Sequence, residues 1–339
     1  GFKAEFGHGS GGVVNVITKS GTNDWHGSAF LFHRNSALDR NNSLDPSIKD
    51  APLLLRWDYG LTLGGPILKE RFFFFGSAER IRERRELNFS LPPATPQVVQ
   101  DFENSFNDPN RTYETRLFAK LDQSLGAHRL SQEINVTNSH VTNFLALSQA
   151  TSLPSTRRGS DGRTTLLGFR DTALLGNPAS PLMLSLYFQW RDEPSREQPA
   201  HPTAGPATVF NIFSSVATFG VFGDLGSVTF GADPSPSRFD QEYTSFGGSL
   251  SKIWGRHDAK FGGAFLRTHV NGIEYQNLAN QIFCTEANFI AFGPTECGFF
   301  TLLNVGGLTP DDNRVRLRNN YLALYAQDDW RVFPKLTLN

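Results

Sequence analysis

Residues 182–191 read Leu182-Met183-Leu184-Ser185-Leu186-Tyr187-Phe188-Gln189-Trp190-Arg191, and the run alternates with a period of two. On an extended chain Leu182, Leu184, Leu186, Phe188 and Trp190 share one face, and Met183, Ser185, Tyr187, Gln189 and Arg191 share the other. The period returns at residues 56–63, where Trp57, Tyr59, Leu61 and Leu63 oppose Arg56, Asp58, Gly60 and Thr62. In residues 112–122, Tyr113, Leu117, Ala119 and Leu121 oppose Glu114, Arg116, Lys120 and Asp122, with Phe118 on the polar side. Such alternation describes a strand with one apolar face. It suits a soluble sandwich, whose apolar face meets a core, as well as a barrel wall, whose apolar face meets lipid.

The connections separate the two. Strand-like segments stand near residues 25–33, 55–63, 71–82, 112–122, 129–138, 163–174, 181–191, 239–253, 258–269, 318–331 and from 335 onward. Pairs are joined by tight links at Gly64-Gly65-Pro66 and at residues 123–128, 176–181, 254–258 and 332–334. Between the pairs run polar connections of roughly 20 to 50 residues, far above the usual median of about 4 to 6. A sandwich has no reason to place every long loop at one end, whereas an outer-membrane barrel has short turns on one side and long loops on the other. The fold expected is therefore all-β, an antiparallel transmembrane β-barrel wall of about eleven strands.

Composition agrees. Only 39% of the 339 residues are hydrophobic, and no apolar run approaches the ~18 residues a spanning helix needs. Barrel strands spread their apolar signal over alternate residues, so a mean hydropathy of -0.33 is compatible with membrane insertion. Phenylalanine, at 30 residues against the single Met183, suits strands and aromatic girdles. A net charge of -1 gives no footprint for nucleic acid. Gly1 has no basic and apolar leader behind it, and residues 335–339 begin a strand pattern that stops midway, so both ends read as cut. An odd strand number points the same way.

Near the start, Gly7-His8-Gly9-Ser10-Gly11-Gly12 satisfies the spacing of a dinucleotide fingerprint. The helix that fingerprint requires is missing, because Val13-Val14-Asn15-Val16-Ile17-Thr18 is β-branched and reads as strand. Taken whole, residues 11–23 with Trp25-His26-Gly27-Ser28 and Arg34-Asn35 resemble the end of the plug domain and the first barrel strand of TonB-dependent outer-membrane receptors of the Oar-like branch. Further blocks are similar to that branch. They are Leu63-Gly64-Gly65-Pro66-Ile67 followed by Arg71-Phe72-Phe73-Phe74-Phe75-Gly76, then Lys260-Phe261-Gly262-Gly263, and Tyr325-Ala326-Gln327-Asp328-Asp329-Trp330 with Leu336-Thr337-Leu338-Asn339. The resemblance implies a bacterial outer-membrane location, with residues 1–23 ending a plug and residues 24–339 forming the first part of a plugged barrel of the ~22-strand class. It also implies outer-membrane lipid around the wall, an extracellular ligand of unknown identity, and a TonB complex reached through regions upstream. The activity implied is TonB-energised transport; a non-transporting surface or adhesion protein on the same scaffold is the alternative.

Little chemistry stands beside this. Cys284 and Cys297 fall within residues 270–317, one long connection, where a loop-closing disulfide suits an envelope protein; two free thiols are the other reading. The eight histidines show no metal-ligand spacing. Asp311-Asp312 and Asp328-Asp329 invite a carboxylate-pair reading, but strand neighbours point to opposite faces. No catalytic, metal or cofactor site is expected, and a soluble carbohydrate-acting β-protein lacks its acid and nucleophile at a recognisable spacing. Arg80-Ile81-Arg82-Glu83-Arg84-Arg85-Glu86 reads as a solvated rim, with contact to the anionic outer leaflet as a second reading. Residues 91–96 and 193–206 read as proline-rich extended loops.

Overall fold

A computed structural model describes residues 16–38, 53–86, 97–144, 153–177, 180–204, 208–213, 224–230, 237–274, 280–285, 302–303, 314–333 and 336–338. The fingerprint-like residues 7–12 and Asp311-Asp312 lie outside them. In chain order the elements are β1 (His26–Asn35), β2 (Leu54–Leu68), β3 (Phe72–Arg85), α1 (Gln97–Ser105), β4 (Asn110–Leu125), β5 (His128–Phe144), β6 (Arg158–Leu175) and β7 (Leu182–Pro199). Then come β8 (Thr208–Phe213), β9 (Asp224–Phe230), β10 (Ser237–Trp254), β11 (His257–Glu274), β12 (Asn280–Thr285), β13 (Leu302–Leu303), β14 (Arg314–Phe333) and β15 (Leu336–Leu338). Eleven of these form one sheet in the order β1-β2-β3-β4-β5-β6-β7-β10-β11-β14-β15, one strand for each expected segment. Every pairing in it is antiparallel, and β1 and β15 each have one neighbour.

The short turns sit where backbone freedom permits them. Gly126, Gly176 and Gly255 adopt φ of 62°, 84° and 58° after β4, β6 and β10, a conformation that costs glycine little. One expected link is corrected. Gly64-Gly65-Pro66 is not a turn: β2 runs through it to Leu68, and the chain reverses at residues 69–71, with Glu70 at φ 65°. A second correction concerns strand length. β3 continues to Arg85 and β7 to Pro199, so the arginine-rich rim and the first half of residues 193–206 are strand.

The two faces differ as the alternation requires. Along β14, Leu322 is 67% exposed and Leu324 80%, while Tyr321, Ala323 and Tyr325 between them are covered more. The register carries this parity across the sheet, so that Leu184, Leu250, Phe261 and Ala326 form one continuous outer row. Few apolar side chains are buried, whereas large ones stand exposed along the outer face of strand after strand. A water-soluble sandwich would cover such a face with a core, and a barrel wall would turn it to lipid.

All five tryptophans take outer positions. Trp25, Trp254 and Trp330 lie at the turn side, and Trp57 and Trp190 toward the loop side. Trp190 is level with Thr244 in the register, ten residues from Trp254 on β10. At about 3.4 Å per residue and a tilt near 40°, the girdles stand about 26 Å apart, the height of a barrel's apolar band.

At the loop side a second, four-stranded sheet has the order β13-β12-β8-β9, with β8 and β12 parallel although they come from different long connections. Cys284 belongs to β12, and Cys297 lies outside the described residues.

Candidate functional site

The inner wall is where polar chemistry collects. Arg56, Asp58, Glu114, Arg116 and Lys120, which stand on the polar side of the sequence alternation, all share this face. They are paired: Arg56 reaches Glu83 at 3.0 Å and Asp58 at 3.5 Å, and Arg116 reaches Glu114 at 2.5 Å and Glu79 at 3.4 Å. Arg158–Glu197 at 3.0 Å and Arg191–Glu193 at 3.5 Å continue the pattern on β6 and β7. Cation stands beside anion on neighbouring positions of the same face, so the wall is hydrophilic without a strong field of either sign.

The stretch before β1 lies against this wall. Lys120 donates to the hydroxyls of Thr18 at 3.1 Å and Ser20 at 2.9 Å, and Thr18 in turn donates to Glu133 at 3.3 Å. The seat is local: Glu133 folds over Gly168, whose missing Cβ would stand 2.8 Å from the Glu133 chain. Between the segment and the wall is a cavity of about 540 Å³, lined by Thr18, Lys120, Glu133, Arg170, Tyr187 and Gln189. Its contacts are hydrogen bonds to hydroxyls and a carboxylate, which hold the segment and separate without opening an apolar core.

Just beyond, the conspicuous sequence blocks turn out to be one junction. Gly21 passes so close to the Gly65–Phe74 rung that a Cβ would fall 2.3 Å from the Phe74 carbonyl oxygen. Asn23 accepts from the Glu70 N–H at 2.7 Å, fixing the positive-φ residue of the β2–β3 turn. Gly64 and Gly65 open both faces of β2: Trp25 lies on Gly65 outside and meets Phe74 edge-on at 5.4 Å, while His26 lies on Gly64 inside and stacks on Phe75 at 6.4 Å. Glycine within a strand here marks close approach of a ring. The Gly247-Gly248 pair works the same way, because the β10–β11 register is unbroken and Tyr187 covers Gly247 while Leu186 covers Gly248. Asp328 and Asp329 do point apart, Asp328 outward to His257 at 2.7 Å and Asp329 inward to Gln327 at 3.1 Å.

At the loop side, three long connections lock together around residues that sequence reading passes over. Glu103 of α1 is fully buried and accepts from the Ser155 N–H at 2.9 Å and the Ser155 hydroxyl at 2.7 Å. Arg157, also fully buried, donates to the Asp108 carbonyl at 2.8 Å and to Asn107 Oδ1 at 3.0 Å. Phe106 sits between Phe102 at 5.0 Å and His201 at 5.1 Å, which brings in the connection after β7. Burial raises the Glu103 carboxyl above its ordinary range, against the Ser155 hydrogen bonds and Arg157, and lowers His201. Nothing in a lone glutamate within a polar stretch signals this; it depends on where a serine some fifty residues later arrives.

Among proteins of known sequence, the TonB-dependent transporter Oar of Myxococcus xanthus is 35% identical over 100 residues, 26% of this chain and 9% of that protein. Among solved structures, the outer membrane transporter YddB from Escherichia coli superposes with a TM-score of 0.49 at 12% identity, covering 83% of this chain and 33% of that one. The ferric citrate transporter FecA in the unliganded form gives 0.49 at 10%, covering 93% and 38%. The chain thus spans less than half the length of each of these relatives. A family model described as "Outer membrane beta barrel domain" matches residues 17–155 and 87–339, nearly the whole length. With the apolar outer face, the paired tryptophan girdles and the hydrophilic inner wall in view, that match decides between core and lipid: the chain belongs to the outer membrane beta barrel domain family and contributes barrel wall in the bacterial outer membrane.

Proposed function

We propose that this wall belongs to a TonB-dependent outer-membrane transporter, with residues 1–23 ending its plug and residues 24–339 its first barrel strands. One observation carries the reading: the segment before β1 is seated on the inner wall through Lys120, Thr18, Ser20 and Glu133. A lumen occupied by the protein's own chain conducts only when that chain moves. Seats made of a few hydrogen bonds on a paired, near-neutral wall suit a segment that energy passed through TonB displaces. The Oar relative, which is named a TonB-dependent transporter, supports the same reading. Ligand capture falls to the loop side, where α1 and its partner connections form an ordered surface on a rigid scaffold.

The test is genetic. Strains lacking this gene are grown against a panel of nutrients beside strains lacking TonB, and uptake of any affected nutrient is measured with its surface binding. Uptake should vanish in both strains, while binding persists in de-energised cells. Uptake at the wild-type rate without TonB overturns the reading; surface attachment without uptake of any nutrient favours an adhesion role instead.

A further inference from the structure

The outer face above the apolar band is cationic, unlike the inner wall at the same level. Two grooves run there side by side, of about 750 Å³ and about 440 Å³, joined through Arg238 and Asp240. Arg80 from β3, Arg163 from β6 and Arg196 from β7 line the first; Arg316 and Arg318 from β14 line the second. The registers place all of them on the lipid side, with Arg80 level with Tyr59 and Arg163 four residues above Leu167. The first groove lies where the β6–β7 ladder, its register unchanged, lacks bridges at Arg163 opposite Pro194, which has no N–H, and at Thr164 opposite Glu193.

The two acids that line the grooves are engaged. Asp161 holds His140 at 2.5 Å and Asp240 holds Arg238 at 3.4 Å. Asp192 and Glu242 share a rung with His269 and Arg318 but line neither groove. Among the described residues, no carboxylate pairs with Arg80, Arg163, Arg196, Arg316 or Arg318; Arg80 rests on the Tyr113 ring at 5.8 Å and hydrogen-bonds Thr115, and Arg163 donates to Thr165 at 3.1 Å. Inside, arginine after arginine has its glutamate. Such a segregation of sign across one sheet calls for an anion on the outside.

Height identifies it. Arg318 lies four residues beyond Leu322 on the outer face of β14, about 14 Å along the strand and about 10 Å along the membrane normal. That is headgroup depth, immediately above hydrocarbon. We propose that the grooves hold the phosphate groups of an outer-leaflet glycolipid whose acyl chains lie on the apolar face below. Guanidinium groups meet phosphate bidentately and remain charged at this boundary, and basic pockets beside hydrocarbon are a known mode of lipid headgroup recognition. This inference rests on the barrel wall alone and is independent of transport.

The experiment uses the complete protein extracted in neutral detergent and native mass spectrometry. The probes are a bis-phosphorylated hexa-acyl diglucosamine lipid, its dephosphorylated form, and inorganic phosphate as competitor. The phosphorylated glycolipid should form adducts at least 10-fold more abundantly than the dephosphorylated one, with millimolar inorganic phosphate failing to displace it. The triple variant Arg196→Gln, Arg316→Gln, Arg318→Gln should lose those adducts at least 10-fold, and Arg116→Gln in the lumen should keep them. Equal binding of the two glycolipids by wild-type protein overturns the proposal, whether or not the triple variant folds. So does full retention by a folded triple variant, or displacement by phosphate, which would mark a soluble-anion site.

Discussion

Leu250→Arg is the sharpest test of which face meets lipid. Leu250 is 43% exposed, and its rung partners are Leu184 and Phe261, so no carboxylate stands on its rung to pair with an arginine. It stands four residues from Trp254 on the same strand, about 10 Å above the turn-side girdle in a band about 26 Å tall, hence close to the midplane. Arginine at that depth costs about 2 to 4 kcal/mol, a factor of about 30 to 700 in the folding equilibrium. Ser185→Arg supplies the control, because Ser185 points inward between Thr172 and Ser249 at nearly the same depth and its new charge enters a hydrophilic lumen. Leu186, the more obvious choice from alternation, is a poorer probe: its β6 rung partner is Asp171, which holds His128 at 2.8 Å, and an arginine there meets a carboxylate. Reversible urea titration of the complete protein in phosphatidylcholine vesicles, followed by tryptophan fluorescence, reads both variants. Equal destabilisation, or a larger effect at Ser185, refutes the assignment of faces.

Lys120→Met removes the donors to Thr18 and Ser20; hydrogen bonds to a charged group contribute about 1.5 to 3 kcal/mol, so amide exchange across residues 16–20 should accelerate roughly 10- to 100-fold while the strands stay protected. Unchanged exchange there would mean the segment is held by something else. At the loop side, the raised Glu103 carboxyl gives stability that is complete below its unfolded range and lost as pH rises through its folded value. The lowered His201 works the opposite way, its contribution disappearing as pH falls through its folded value, with Asp108 and Arg157 as the other charges facing the cluster. Exchange at residues 153–157 should therefore slow on acidification and that at residues 201–204 quicken, and Glu103→Gln should abolish only the first trend. Cys284 and Cys297 are expected to be bridged in envelope-purified protein, closing a loop of about 14 residues and ordering it by up to ~3 kcal/mol; recovery of two alkylatable thiols from non-reduced protein contradicts this.

What alternation reveals depends on what the face touches. Within the hydrocarbon band each strand has lipid on one side and lumen on the other, so residues 182–191 disclose both strand and orientation. Above the band both faces are polar, contrast vanishes, and residues 193–199 and 83–85 look like loop although their backbone ladder continues. Residues 321–326, apolar on both faces, hid their orientation for the opposite reason: Tyr321, Ala323 and Tyr325 line the inside, and Tyr325 packs on Gly262. Gly64-Gly65-Pro66 misled by composition. Glycine and proline together ordinarily punctuate a turn, but here the missing Cβ atoms admit Trp25 and His26, partners that only the register identifies.

The functional surfaces share that dependence on register. Parity tells which residues of one strand look outward, yet a groove or a seat is made by residues on different strands at one height. Arg163 and Arg196 lie 33 positions apart, and only the β6–β7 register brings them to one groove beside Pro194. Lys120 and Glu133 meet Thr18 across more than a hundred residues. Each offset follows from a short turn, so an error of one residue at the β2–β3 turn would carry Arg56 and its partners to the lipid side. Asn23, bound to the Glu70 N–H, braces that turn beside the Arg71 N–H to Leu68 carbonyl bond at 3.1 Å, and it belongs to the segment seated in the lumen. The residue that braces the β2–β3 turn and the residues that rest on the wall are thus parts of one short stretch, which ties the seat of the segment to the turn beside it.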